Sequence, residues 1–219
     1  LCFMLIYVFM FGYVFKSKQQ YFAIFVFIGI TLWDFFNKSL IQSVKVIKAN
    51  KPIVSKVYIP KFILILVKMG VNGFKMLISL LIIVAMLIVW RVPVTYNVIY
   101  IIPILMTLVV LVFGCCCFLL HYGVFVEDLS NVLNIALRFL FYLTGIFWSI
   151  MDRLPSPYNY YIGRCNPIAF LLTSARDCVI YGSTPHRKLL LLWFVIGLII
   201  SALGVRKIYK NENSYVKVI

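Results

Sequence analysis

Lys61, Lys68 and Lys75 recur at intervals of seven at the start of and inside one strongly apolar run that ends at Trp90. A step of seven residues turns an α-helix by only about 20°, so the three ammonium groups fall along one face. A lysine in hydrocarbon costs at least about 2.5–3.5 kcal/mol on insertion scales, so such a row needs a wet cavity, a partner or an escape to the headgroups. One reading is a basic track for the phosphates of an anionic substrate. The other lets Lys61 and Lys68 snorkel to the interface while Lys75 pairs with an acid or a carbonyl. Lys75, about 20 Å along the helix from Lys61, lies too deep to snorkel readily and is the stronger candidate for touching substrate. Arg138, about two turns into a later apolar run, could likewise hold a phosphate bidentately, or could form a structural pair with Glu127 or Asp128.

Other chemistry is scarce. Glu127 and Asp128 are adjacent on a short polar link, where two carboxylates rarely face one substrate; a partner contact or a helix cap suits them better, with Ser130 a further cap candidate. Tyr158, Tyr160 and Tyr161 cluster in a longer polar stretch, placed either to stack on sugar rings or to anchor at an interface. Cys115, Cys116 and Cys117 are consecutive, fan around a helix and cannot share a metal. Cys165 and Cys178 could pair in an oxidising exterior. His121 and His186 are lone histidines, and there is no nucleophile–His–acid set, zinc spacing or phosphate-binding glycine loop. No catalytic residue, metal site or cofactor is therefore expected in this chain.

The elements that must position these residues are set by composition. Of 219 residues, 64% are hydrophobic and 12% charged, which leaves no room for a soluble domain and excludes a cytosolic enzyme or a nucleotide-binding domain in cis. A net charge of +15 implies an anionic neighbour, either lipid headgroups or an anionic substrate. Nucleic acid is set aside, because the basic residues are scattered among apolar runs.

The apolar runs read as six spans, Leu1–Phe15, Tyr21–Val44, Phe62–Trp90, Asn97–His121, Val132–Ile150 and Leu189–Val205. The first, fifteen residues and about 22 Å, is short of a full crossing and reads as a span whose true N-terminus lies upstream. Lys45–Lys61 is a basic loop with at most a short helix. Met151–Lys188, with four prolines and four arginines, is the longest non-spanning piece; its two short apolar stretches suit helices that dip back into the membrane. Basic density around residues 45–61 and in the C-terminal tail orients both termini to the cytoplasm and residues 151–188 outward.

The order of FIGITLWDFFNKSL, IVSKVYIPKFIL, GVFVEDLSNVLNIALRFLFYLTGIFW and CNPIAFLLTSARDCVIYG resembles the type 2 ABC exporter permeases for polysaccharides. The resemblance covers nearly everything from Tyr21 onward, and around Asp128–Trp148 the wording is most similar to wall teichoic acid permeases, with O-antigen permeases less sharply separated. It departs at the N-terminus, where family members carry an amphipathic interface helix and a complete first span. It implies an all-α membrane protein of six transmembrane helices with a re-entrant outer hairpin between spans five and six. It also implies a homodimer on two separately encoded ATPase subunits, which would hold ATP and Mg, and a polymer carried on undecaprenyl pyrophosphate. Lys68, Lys75, Arg138, Tyr158, Tyr160 and Tyr161 would then line the substrate pathway. Lys45, Lys48, Lys51, Lys56, Tyr58 and Pro60, with Glu127 and Asp128, would couple to the ATPase; without the resemblance, residues 45–61 are an ordinary basic loop. The rival classes are O-antigen or capsule export by the same machine, a membrane-embedded transferase and an anion channel.

Overall fold

The computed structural model describes residues 21–54, 59–149, 155, 158–212 and 214–215. Among these the regular structure is entirely helical. The helices are α1 (Phe22–Ala49), α2 (Lys51–Val54), α3 (Lys61–Val89), α4 (Ile101–Phe125, preceded by a 3-10 turn, Tyr96–Tyr100), α5 (Leu129–Leu143), α6 (Tyr158–Cys165), α7 (Pro167–Val179) and α8 (Arg187–Lys210). Four segments are long and apolar enough to cross a membrane: α1, α3, Tyr96–Phe125 and α8. They correspond to the second, third, fourth and sixth spans read from the sequence, and the chain is a multi-pass membrane protein. The expected first span, Leu1–Phe15, lies outside the described residues.

Helix ends follow local chemistry. Asn50 stops α1 by turning its amide onto the Val46 carbonyl at 2.7 Å, and Lys48 suits the negative end of the helix dipole. The start of α3 follows Pro60, whose carbonyl accepts from the Ile63 amide. Its far end closes with Arg91 in the left-handed region (φ 49°) and the Val92 amide on the Leu87 carbonyl, a Schellman closure with arginine where glycine is usual.

The expected fifth span, Val132–Ile150, is instead α5, which begins at Leu129 and stops at Leu143. Fifteen residues of helix reach about 22 Å, short of the roughly 30 Å hydrocarbon core. Thr144 bonds its hydroxyl back to the Leu140 carbonyl, and Gly145 turns the chain at φ 69°, a conformation open to glycine. The residues flanking this turn are apolar enough to continue the run, so the break is invisible to hydropathy.

The chain divides into two compact units. The first takes residues up to Asp34, Met76–Leu105 and Leu140–Leu190. Its core holds Ile24, Val26, Ile28, Leu32, Ile146, Leu171 and Leu172, all nearly inaccessible, and α7 is buried along most of its length. The second takes Phe35–Lys75, Met106–Phe139 and the residues from Leu191 onward. Its core is Val46, Ile47, Ile65, Leu108, Val112, Cys116, Cys117 and Leu120. There α1 and α3 are joined by polar bonds, from the Asn72 amide to Ser39 Oγ (3.2 Å) and to Gln42 Oε1 (3.1 Å), and α8 meets α4 through Ser201 Oγ, which donates to the Val110 carbonyl (2.9 Å). Such bonds hold helices together where lipid offers no hydrophobic drive.

Candidate functional site

In the second unit the last turns of α1 meet α4 and the link before α5. Gly123 is required there, because a Cβ at that position would lie 2.4 Å from the Val44 carbonyl oxygen. The close approach leaves a cavity of about 280 Å³ beside it, lined by Val44, Lys45, Lys48, Ala49, Gly123, Glu127 and Ser130. Three of the expected coupling residues, Lys45, Lys48 and Glu127, thus converge on one concave site, all three exposed. Lys45 and Lys48 stand on the end of α1, not in a loop as the sequence suggests. Lys51 is exposed at the start of α2. Asp128 is exposed, and its backbone carbonyl accepts from the Asn131 and Val132 amides at the start of α5. Ser130, expected as a cap, is buried inside α5. Pro60 opens α3, while Lys56 and Tyr58 lie outside the described residues.

The row of lysines on α3 divides. Lys61 does not snorkel: it is buried, with its ammonium 3.2 Å from Glu212 Oε1, the two side chains being 3% and 10% exposed. Lys68 is half-buried and Lys75 exposed, on a helix whose exposed apolar residues include Leu66, Val67, Val71, Phe74 and Leu77. Arg138 is exposed, and among the described residues no ion pair joins it to Glu127 or Asp128, so the structural pairing open to it in the sequence is not formed.

Tyr158, Tyr160 and Tyr161 belong to the first unit, on α6, and all three are exposed. Tyr160 and Tyr161 meet edge to face at 6.0 Å, and the Arg164 guanidinium lies 3.8 Å above the Tyr160 ring. The Cys165–Cys178 pairing that the sequence left open is not made: both are free thiols, one exposed and one buried. No cluster of His, Cys, Asp or Glu suited to a metal occurs among the described residues.

Two constellations escape the sequence reading. The first is Arg176 on α7, 3% exposed, which donates to the carbonyls of Phe25 (3.0 Å), Gly145 (2.8 Å) and Ile146 (2.6 Å) and stacks 3.5 Å over the Phe25 ring. It binds the start of α1 and the break after α5 to the second short helix. An arginine in the apolar frame AFLLTSARDCV is the signal that could have marked it. The second is the last turn of α8 with the residues that follow it. Tyr215 is fully buried with its hydroxyl 2.8 Å from His121 Nδ1, and Lys207 reaches the Tyr122 hydroxyl at 2.8 Å. Burial, with Glu212 nearby, pushes the Tyr215 hydroxyl up to about 12, so it stays neutral.

Over its whole length the chain is similar to two proteins of Klebsiella pneumoniae, each described as an O-antigen export system permease protein RfbA. Each is 24% identical over 220 residues, a span that takes in 100% of this chain and 84% of the relative. No family model matches. The similarity supports a polysaccharide-export permease and, with it, the coarse form of the resemblance read from the sequence.

Proposed function

We propose that this chain is the membrane subunit of an ABC exporter that moves a lipid-linked polysaccharide out across the bacterial cytoplasmic membrane. The observation that carries the reading is the end-to-end similarity to O-antigen export permeases in a chain built of long apolar helices. In this reading the subunit has six spans and cytoplasmic termini, α5 counts as a short fifth span, and α6 and α7 form a re-entrant outer hairpin. Two copies sit on two ATPase subunits, which bind ATP and Mg. The cavity beside Lys45, Lys48 and Glu127, together with Lys51 and the residues leading to Pro60, receives the ATPase's movement. Lys68, Lys75, Arg138 and the α6 tyrosines line the route of the polymer.

The cargo has two readings. Wall teichoic acid on undecaprenyl pyrophosphate suits the net charge of +15 and the wording around Asp128–Trp148. O-antigen suits the relatives' own descriptions. Complementation of export-deficient strains for each polymer separates them. A membrane-embedded transferase would need a convergent acid–base or metal set at one face, and neither the sequence motifs nor the described side chains favour one.

The deciding experiment is purification of the full-length protein in mild detergent with mass spectrometry of what accompanies it. A stoichiometric ATPase is the expected result, and a clean preparation without one would overturn the exporter reading. Lys75→Met should impair export of a phosphate-rich polymer with assembly intact. Lys48→Glu with Lys51→Glu should abolish stimulation of ATP hydrolysis, and normal coupling would return these lysines to an ordinary basic surface.

A further inference from the structure

The last turn of α8 and the residues after it, a basic tail in the sequence, are built into the second unit at four places. Tyr209 packs its ring 5.7 Å from Phe62, and Glu212 holds Lys61 at 3.2 Å. Lys207 reaches the Tyr122 hydroxyl at 2.8 Å and lies 4.3 Å above its ring. Tyr215, wholly enclosed, shares a 2.8 Å hydrogen bond with His121 and packs 6.1 Å from Phe125. Two of these contacts fall on the first two residues of α3, and two fall within the last five residues of α4. Pro60 immediately precedes α3, and the chain leaves α4 at Phe125 for the link that carries Glu127. A buried ammonium–carboxylate pair repays its desolvation only when both ends are held in place, which a passive tail would not require.

We propose that the segment from Lys207 to Tyr215 is a positioning element that ties the root of α3 to the end of α4, so that movement delivered at the coupling segment is passed to both helices together. Glu212 and Tyr215 are its positioning residues. Without them, a push arriving through α2 is taken up at the Pro60 corner and does not reach α4. This deepens the exporter reading and rests on it. The element acts as a brace within the second unit, so that a small displacement is transmitted and not dissipated.

The test uses the full-length chain reconstituted with its co-purifying ATPase, comparing Glu212→Gln, Tyr215→Phe, their double variant and the charge exchange Lys61→Glu with Glu212→Lys. Three quantities are read: ATPase retained on purification, basal ATP hydrolysis, and polymer exported per ATP. The expected result is an intact complex with basal hydrolysis kept and export per ATP reduced about fivefold or more in the double variant, the lower range for coupling between sites. The charge exchange should recover a good part of the loss due to Glu212→Gln. Tyr215→Phe keeps the ring and removes only the hydroxyl, so it reports even if the double variant assembles poorly. Export per ATP at the wild-type level in Tyr215→Phe and Glu212→Gln, with the ATPase still bound, would overturn the brace alone. A wild-type preparation that carries no ATPase would overturn the exporter reading beneath it.

Discussion

Among the described residues each unit buries one cation, and the two are neutralised in different ways. Arg176 in the first unit forms no contact ion pair among the described residues; its planar fork is satisfied by three main-chain carbonyls, two of them just past the end of α5. Those two carbonyls lie in the turn beyond the last helical residue, so the guanidinium fixes the break itself by satisfying acceptors that the helix no longer pairs. Lys61 in the second unit is a point charge and takes a carboxylate delivered by the chain end, 151 positions away in sequence. A carbonyl cradle belongs to the backbone and lasts as long as the fold does. A side-chain pair can be released by one substitution or one rearrangement. The first unit is thereby locked at α7, whereas the second is held by a contact that can be undone.

The sharpest way to break the comparison is to empty both sites. Arg176→Met leaves three buried carbonyls without their donor and is expected to cost about 3–5 kcal/mol, on the order of 10 °C in thermal stability measured in detergent. Arg176→Lys keeps the charge but not the fork and should recover less than half. No single second substitution should restore Arg176→Met, since its acceptors are backbone. Lys61→Met is expected to cost about 3 kcal/mol, at the lower end for a broken buried pair because Glu212 retains some access to water. Here Glu212→Gln in the same chain should return most of the loss, as measured by a double-mutant cycle. Additive losses at Lys61 and Glu212 would erase the distinction between the two sites.

A smaller substitution sharpens the first site. A Cβ on Gly29 would stand 2.5 Å from Arg176 Nη2 and 3.3 Å from the Ile146 carbonyl oxygen. Gly29→Ala should therefore destabilise by about 1–3 kcal/mol when Arg176 is present. In the Arg176→Met background the same change should cost less, because the flexible Met side chain can move aside. Equal costs in the two backgrounds would mean that Ile146, and not the guanidinium, sets the limit.

The long helices are legible in the sequence because a crossing needs about 20 apolar residues, and the described residues hold four such runs with polar breaks between them. The short helices around Asn166 are legible as well, since Asn–Pro ahead of an apolar run marks a helix start. The end of α5 is not. Hydropathy registers the apolar character of Ile146, Phe147 and Trp148 but not the positive φ of Gly145, and only the threonine–glycine pair hints at the turn. Lys61 illustrates the opposite limit. Its spacing from Lys68 and Lys75 is real, and they do share a helix, but what each one meets depends on residues brought from elsewhere in the chain. The apolar frame around Arg176 marks it as unusual, but nothing local reveals that its acceptors lie at residues 25, 145 and 146.

The smallest expected effect tests how Arg176 reaches its cradle. Asn166 caps α7 by accepting from the amides of Ile168 (3.1 Å) and Ala169 (3.3 Å), and so fixes where the helix begins. Arg176 follows ten residues later, about 15 Å along the axis, so a frayed first turn loosens the frame that aims the guanidinium. Asn166→Ala is expected to cost about 1 kcal/mol. Asn166→Asp keeps the acceptor and adds a charge favoured at a helix N-terminus, so it should be neutral or slightly stabilising. It gives up only the 3.5 Å approach of the Asn166 amide to Thr144 Oγ1. If the aspartate variant were as unstable as the alanine one in the same detergent melt, the contact with Thr144, and not the cap, would be what ties α7 to the break after α5.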